Sequence, residues 1–161
     1  MKFCPKCGSD LHTKLIDGAK RDVCTNPECK FTFWNNPVPV VAALINYKDE
    51  YIVARNAKWP KGIFSVITGY LEQNESPEDA VLREVSEELG LTGNIKQHIG
   101  NYIFKEKNQV ILCYEVVATG KIKVDAELAE IKQLTEKELA DYDFSPLYIT
   151  ERIISDWLSL K

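Results

Sequence analysis

The stretch GYLEQNESPEDAVLREVSEELGL, residues 69–91, decides the fold of this chain. Its second half predicts a helix, because Ser76 suits the N-cap, Pro77 suits the first turn and Gly90 suits the left-handed position that ends a helix. Asp79 completes a predicted capping box with Ser76. The apolar side chains of this helix recur at helical spacing and should face a core: Val81, Leu82, Val85 and Leu89.

A second face of the predicted helix carries three carboxylates. Glu84, Glu87 and Glu88 stand at i, i+3 and i+4, so their side chains share one face. Like charges this close repel one another unless a cation lies among them, and Mg2+ and Mn2+ prefer oxygen ligands that they share with substrate phosphates. Ala80, one turn before Glu84, should leave room for a ligand. The competing interpretation is a solvated acidic face, which three glutamates alone would favour.

The residues around these glutamates decide between the two interpretations. Gly69 is followed after five residues by Glu75, and seven more lead to the run Arg83-Glu84-Val85-Ser86-Glu87-Glu88-Leu89-Gly90-Leu91. This pattern resembles a complete Nudix box, and every fixed position matches. A chance match at so many fixed positions is rare. The chain is therefore similar to the Nudix hydrolases, which cleave nucleoside diphosphates linked to another moiety.

The resemblance implies a role for each matching position. Glu84, Glu87 and Glu88 are the expected ligands of a catalytic Mg2+ or Mn2+, and the carbonyl of Gly69 is expected to join the metal shell. The other two fixed polar positions, Arg83 and Glu75, are expected to pair and to brace the loop against the helix.

The proton acceptor and the substrate contacts are less closely defined. A carboxylate near the metal-bound water should accept its proton. Glu88 is one candidate, and the resemblance adds a glutamate from residues 126–134, AELAEIKQL, either Glu127 or Glu130. Surface charge is an equally good interpretation of these two. The candidates for contacts to phosphate or base precede the box or lie near it: Arg55, Lys58, Lys61 and Phe64, with Tyr70, Tyr102 and Phe104 as further aromatic candidates that core packing would also explain.

Length and composition bound the remaining possibilities. The 161 residues suffice for one medium domain and a small appendage, and 45% hydrophobic with 27% charged residues is ordinary for a globular protein. No apolar run approaches a membrane span, and the first residues, MKFCPKCGSD, lack an apolar signal region. We therefore expect a cytoplasmic protein that does not enter a membrane.

The charge is unevenly distributed. The net charge is −4, but residues 1–36 carry six Lys or Arg against four Asp or Glu, and the remainder carries fourteen against twenty. The larger part is thus acidic, which argues against broad electrostatic binding of nucleic acid. A phosphate site needs only a few local cations and a metal, so it remains compatible with this charge.

Four of the five cysteines lie in the first 36 residues. Cys4 and Cys7 form one close pair and Cys24 and Cys29 the other, with sixteen residues between the pairs. This spacing predicts a Cys4 zinc ribbon, and Gly8 suits the tight turn under the metal. Two disulfides or unrelated thiols are the alternative, which cytoplasmic redox conditions disfavour. A segment this short has little core, so zinc would supply much of its folding energy.

Three aromatic residues follow the second cysteine pair. Phe31, Phe33 and Trp34 could stack on bases, or they could pack as part of the apolar interior. The sequence favours packing, because basic residues here are few and interspersed with acids. We expect no nucleic-acid partner for the ribbon.

The rest of the chain predicts a mixed sheet with helices on both sides, which is an α+β Nudix fold with an α/β/α sandwich. The predicted domains are a zinc ribbon over residues 1–36 and a Nudix hydrolase domain over residues 37–161. Strands are predicted at residues 38–46, 51–55, 63–68, 95–105, 109–119 and 129–134, with the first two buried on both faces. Thr135 and Glu138 predict a capping box for a short helix, Ser145-Pro146 should begin the last helix, and Cys113 should be buried in a strand.

Zinc ribbons precede Nudix domains in two groups that this chain resembles. NADH pyrophosphatases carry a proline-rich signature after the box, whereas residues 98–116 here, HIGNYIFKEKNQVILCYEV, contain no proline. The ribbon and residues 144–150, FSPLYIT, resemble instead the zinc-ribbon proteins that act on ADP-ribose or FAD. The resemblance implies a small-molecule nucleotide substrate, with ADP-ribose or FAD preferred over NADH, and a homodimer by family analogy. A non-catalytic nucleotide sensor is the main alternative, although it would not need every metal ligand of the box.

Overall fold

Pro37 and Val38 separate two units of the chain, Met1–Pro37 and Val38–Lys161, in a computed structural model that describes all 161 residues. Each unit has its own sheet. None of the helices has the length and apolar character that crossing a membrane requires.

The first unit is a three-stranded antiparallel sheet. Its strands are β1 (Leu11–Ile16), β2 (Ala19–Cys24) and β3 (Thr32–Phe33), in the order β1-β2-β3. A two-residue turn joins β1 to β2, with φ of 49° at Asp17 and 78° at Gly18, as a type I′ hairpin requires. The cysteine pairs of this unit were predictable from their spacing, but its strands were not. These strands are short and largely exposed, so they lack a clear alternation of apolar and polar residues.

The second unit is built on a six-stranded mixed sheet. Its strands are β4 (Val38–Tyr47), β5 (Glu50–Asn56), β6 (Ile67–Tyr70), β7 (Thr92–Phe104), β8 (Gln109–Thr119) and β9 (Leu128–Leu134). The order is β7-β8-β4-β5-β9, with β6 also paired to β4. Strands β4 and β8 run parallel, and the other pairs are antiparallel. The predicted α+β fold with a mixed sheet is confirmed.

Strand β4 is the centre of this sheet and is buried on both faces, as predicted. Val40, Ala42 and Leu44 face one core, and the alternate residues Val41 and Ala43 face the other. Period-two alternation explains this division, because successive side chains of a strand point to opposite faces. The turn after β4 has positive φ at Lys48 (55°) and Asp49 (63°), which favours the tight hairpin to β5.

The predicted strand at residues 63–68 is only partly correct. Strand β6 begins at Ile67, and before it only Ser65 forms a bridge, to Ala54. Strands β5 and β6 pair with the same edge of β4, and β5 occupies that edge from Ile45 onward. Residues 63–66 therefore cannot extend the ladder on β4.

Helix α1 (Pro77–Leu89) covers the face of the sheet that carries Val41 and Ala43. Its predicted caps are confirmed: the Ser76 hydroxyl accepts a hydrogen bond from the Asp79 amide, and Gly90 has φ of 66°. The Asp79 carboxylate accepts from the Ser76 hydroxyl, at 2.7 Å, and so differs from the predicted capping box. The expectation that Ala80 opens space beside Glu84 is wrong, because Ala80 is fully buried in the core under α1.

Helices α2 (Glu136–Ala140) and α3 (Tyr148–Ser159) lie against the opposite face, where Trp157 and Phe144 are buried. The capping box of Thr135 and Glu138 is confirmed. The last helix begins at Tyr148 and not at Ser145-Pro146. The Asp143 carboxylate accepts hydrogen bonds from the Ser145 amide and hydroxyl, so this serine closes a local turn before the helix.

Candidate active site and cysteine cluster

Arg83 donates more hydrogen bonds than any other side chain of the candidate site. Its Nε lies 2.8 Å from Glu75 Oε1 and its Nη2 lies 3.1 Å from Glu75 Oε2, a two-point ion pair. The same Nη2 donates to the carbonyl of Tyr70 at 3.0 Å. Hydrogen bonding to Arg83 lowers the pKa of Glu75, and Glu75 in turn raises the pKa of Arg83. The pair thus ties the loop after β6 to the middle of α1.

Two of the three clustered glutamates also bind Arg83. Its Nη1 donates to Glu84 Oε1 at 2.7 Å and to Glu87 Oε2 at 2.9 Å. The guanidinium therefore supplies a positive charge beside the carboxylate face. The ligand atoms of Glu84, Glu87 and Glu88 do not converge as closely as those of the cysteines described below. A divalent cation on this face would share Glu84 and Glu87 with Arg83.

The donor set nevertheless fits a hard cation. Glu84, Glu87 and Glu88 offer only oxygen atoms, which suits Mg2+ or Mn2+. Gly69 pairs with Val41 in the sheet and lies directly under Glu84. Because Gly69 has no side chain, the Glu84 carboxylate packs directly against its backbone. Burial raises the pKa of Glu84, and Arg83 partly opposes that effect.

Glu88 faces further carboxylates from a segment that precedes β9. Burial, followed by the charges of Glu84, Glu127 and Asp125, raises the pKa of Glu88 to about 7. Glu127 raises the pKa of Glu84 as well. Glu127 and Asp125 thus lie close enough to the carboxylate face of α1 for their charges to act on Glu84 and Glu88. A bound divalent cation would relieve this repulsion.

These side chains line a cleft of about 770 Å³ in the second unit, within the usual size of small-molecule sites, roughly 300–1,000 Å³. The lining combines these carboxylates and Arg83 with lysines, aromatic residues and apolar residues. Tyr70 in this lining is 60% exposed, and its hydroxyl accepts a hydrogen bond from Gln109 at 3.2 Å. The lining of the cleft also includes Lys58, Lys107, Phe104, Leu147 and Ile149.

Several residues predicted to contact substrate lie outside this cleft. Arg55 pairs with Glu130 at 3.5 Å and donates to the carbonyl of Trp59, and neither Arg55 nor Glu130 lines the cleft. Lys61 is exposed away from it. Phe64 is 2% exposed within the core, so it has no free face for a base. The antiparallel register of β5 and β9 explains why Arg55 pairs with Glu130 outside the cleft, because it places the two residues opposite each other.

Other candidates from the sequence do line the cleft, together with residues that the sequence did not indicate. Of the two glutamates in residues 126–134, it is Glu127 that lines the cleft, and Lys58 and Lys107 are its lysines. Neither lysine is paired with a carboxylate. Lys107, Gln109 and Asp125 were not singled out from the sequence. They carry no local motif and reach the cleft only because the sheet brings distant segments together.

The four cysteines of the first unit converge. Their Sγ atoms all lie within 4.8 Å of one another, with Cys4 and Cys29 3.7 Å apart and Cys7 and Cys24 3.4 Å apart. Four thiolates around Zn2+ at about 2.3 Å would have Sγ–Sγ separations of roughly 3.8 Å. None of the cysteines forms a disulfide. Gly8, with φ of 76°, lets its amide bond the carbonyl of Cys4 and closes the first turn. The donor set and its geometry therefore fit a structural zinc ion.

Comparison with known proteins places this geometry in a family. Residues 35–157 match the NUDIX domain family. The chain is 32% identical to the mouse NAD(P)H pyrophosphatase NUDT13, mitochondrial, over 81% of this chain and 37% of that protein. It is 29% identical to the NAD-capped RNA hydrolase NUDT12 of Macaca fascicularis, over 87% of this chain and 32% of that protein. The chain thus spans about a third of the length of these curated relatives.

A solved structure of similar shape is the NUDIX hydrolase from Nitrosomonas europaea. The TM-score is 0.80 at 22% sequence identity, and the match covers 99% of this chain and 93% of that one. This similarity shows the fold. Together with the family match over residues 35–157, it establishes that the chain belongs to the NUDIX domain family.

Proposed function

We propose that the second unit is a metal-dependent hydrolase of the pyrophosphate bond in a nucleoside diphosphate linked to another moiety. The observation that carries the proposal is that Glu84, Glu87, Glu88 and Glu127 all line one cleft, which is large enough for a dinucleotide. A sensor without catalysis would not need a full set of carboxylates in this position.

The residues of the cleft have distinct tasks in this proposal. Glu84, Glu87, Glu88 and the carbonyl of Gly69 would hold Mg2+ or Mn2+. The bound ion would supply a nucleophilic water and would neutralise charge on the pyrophosphate. Arg83 holds Glu84 and Glu87 in place and is itself held by Glu75.

In this proposal, proton transfer falls to the carboxylates that line the cleft. As the water oxygen bonds to one phosphorus and the bridging phosphorus–oxygen bond breaks, Glu127 accepts the proton of the water. The products are two phosphate monoesters. Glu88 is the alternative acceptor, but it lies on the metal-binding face. Glu130 is the weakest of the three candidates, because it pairs with Arg55 outside the cleft.

ADP-ribose and FAD are the substrates we propose. Residues 98–116 lack the proline-rich signature of NADH pyrophosphatases. The segment of residues 144–150, which resembles the ADP-ribose and FAD group, contributes Leu147 and Ile149 to the cleft wall. Tyr70 and Phe104 add aromatic surface on which a base or a flavin can stack.

NADH is the second candidate, and the similarity to the mouse NAD(P)H pyrophosphatase favours it. Selectivity between these dinucleotides is a difference in transition-state binding. The test is to measure kcat/KM for ADP-ribose, FAD and NADH side by side at saturating Mg2+. A higher value for ADP-ribose or FAD supports the proposal. A clear preference for NADH would mean that the chain resembles the NADH pyrophosphatases in its substrate. Turnover of all three dinucleotides without metal would contradict the proposed metal-dependent hydrolysis.

The first unit is proposed to be a structural zinc ribbon and the second a Nudix hydrolase domain, with the division near residue 37. Support for the ribbon comes from the convergence of the four Sγ atoms. Within this unit Trp34 is 45% exposed, and the guanidinium of Arg21 lies 5.5 Å from its ring centre.

We propose a nucleotide as the small-molecule partner of the second unit and no nucleic-acid partner for the first. A homodimer remains an expectation by family analogy.

A further inference from the structure

The segment before β9 is bound to the end of helix α1 by its backbone. The amide of Lys123 donates to the carbonyl of Leu89 at 2.8 Å, and the amide of Asp125 donates to the carbonyl of Glu88 at 2.9 Å. The last carbonyls of a helix have no partner within the helix, so these two bonds satisfy groups that would otherwise need water. The segment is thereby fixed to the helix that carries the proposed metal ligands.

Asp125 extends this connection to Glu127 through its side chain. Its Oδ1 accepts a hydrogen bond from the amide of Glu127 at 2.9 Å, and its carbonyl accepts one from the amide of Leu128 at 3.2 Å. On the far side, the carbonyl of Glu127 accepts from the amide of Ala57 at 2.8 Å. The backbone at Glu127 is therefore held between the end of α1 and the end of β5.

We propose that Asp125 is a positioning residue, which sets the backbone of Glu127 so that the Glu127 carboxylate faces the metal-binding wall of the cleft. The inference rests on the proposed function, in which Glu127 accepts the proton. In this role Asp125 acts by accepting the Glu127 amide hydrogen. A small displacement of a reacting group lowers the rate steeply, on the order of 10²-fold for 1 Å.

Two substitutions at one position separate the hydrogen bond from the charge. Asp125→Asn keeps an oxygen that accepts the Glu127 amide hydrogen but removes the charge, whereas Asp125→Ala removes both. We expect Asp125→Ala to lower kcat about 10–100-fold with little change in KM. Asp125→Asn should lose several-fold less in kcat than Asp125→Ala, because its side-chain oxygen still accepts the Glu127 amide hydrogen. Equal losses in the two variants would mean that the charge or metal ligation matters, and would overturn the proposal.

A double-mutant cycle tests whether Asp125 acts through Glu127. In a Glu127→Gln background the proton acceptor is already lost, so adding Asp125→Ala should lower kcat no further. A purely structural role would lower kcat by the same factor in both backgrounds. Additive losses would therefore overturn the proposal.

A measurement without substrate separates this inference from the proposed function. Hydrogen exchange of the Glu127 amide should accelerate in Asp125→Ala and stay slow in Asp125→Asn, because the amide hydrogen is protected by its bond to residue 125. Unchanged exchange in Asp125→Ala would overturn the positioning role even in an active enzyme. Absence of turnover with every nucleoside diphosphate derivative would instead overturn the proposed function, and the exchange contrast would still decide the role of Asp125.

Discussion

Glu84 occupies the space that a side chain at position 69 would need. A Cβ built on Gly69 would lie 1.9 Å from Glu84 Cδ and 2.0 Å from Glu84 Oε1. Gly69 does not adopt positive φ, so its backbone conformation is open to any residue. A side chain at position 69 would therefore be opposed by the Glu84 carboxylate and not by the backbone conformation.

Gly69→Ala tests this relationship. The extra methyl group must displace the Glu84 carboxylate, and overpacking of this kind costs about 1–3 kcal/mol in the free energy of unfolding. Denaturant unfolding measures that cost, and turnover should fall with it because the metal-binding wall is disturbed. The cost should shrink when Glu84→Ala is present as well, since the clashing side chain is then gone. An equal cost in both backgrounds would contradict the steric explanation.

The carboxylate face of α1 is tested by Glu87→Gln and Glu88→Gln. Each change keeps the shape of the side chain and removes a negative ligand. We expect either variant to lose about 10²-fold or more in kcat with a nearly unchanged melting temperature. Glu151→Gln, an exposed carboxylate of α3 outside the cleft, is the matched control and should retain full activity. Full activity of both α1 variants would rule out the metal-site assignment.

The cysteine cluster predicts one zinc ion per chain. Substituting any one of Cys4, Cys7, Cys24 or Cys29 by serine should abolish zinc retention, because a closed site needs all four ligands. Metal analysis of purified protein measures this, and removal of zinc by a chelator should unfold the first unit. Cys113→Ala is the control, since Cys113 is fully buried in the second unit and outside the cluster. Protein free of zinc, with the four cysteines paired as disulfides, would contradict the prediction.

The two unpaired lysines of the cleft are the expected cationic contacts of the substrate. Lys58→Gln and Lys107→Gln should each raise KM for ADP-ribose about tenfold, which corresponds to roughly 1.4 kcal/mol. Steady-state kinetics at fixed Mg2+ gives the values. Lys61→Gln removes the same charge from a position outside the cleft and should leave KM unchanged. If Lys61→Gln raised KM as much as the cleft variants did, the effect would reflect overall charge and not direct contact.

The sequence by itself determined the parts of this protein that depend on local patterns. The caps of α1, the hairpin of β7 and β8, the capping box at Thr135 and the two-sided burial of β4 all follow from neighbouring residues and periodicity. The Nudix box and the cysteine pairs are also local, because their residues lie at fixed short spacing. Family and fold were therefore predictable.

Only the tertiary structure decided which residues share the cleft. Arg55 and Phe64 were reasonable candidates, but strand register pairs Arg55 with Glu130, and packing buries Phe64 in the core. Glu127 reaches the site because the segment before β9 is bound to the end of α1, a contact between residues nearly 40 positions apart. Such contacts depend on sheet order and strand register over long separations, and no spacing within the sequence encodes them.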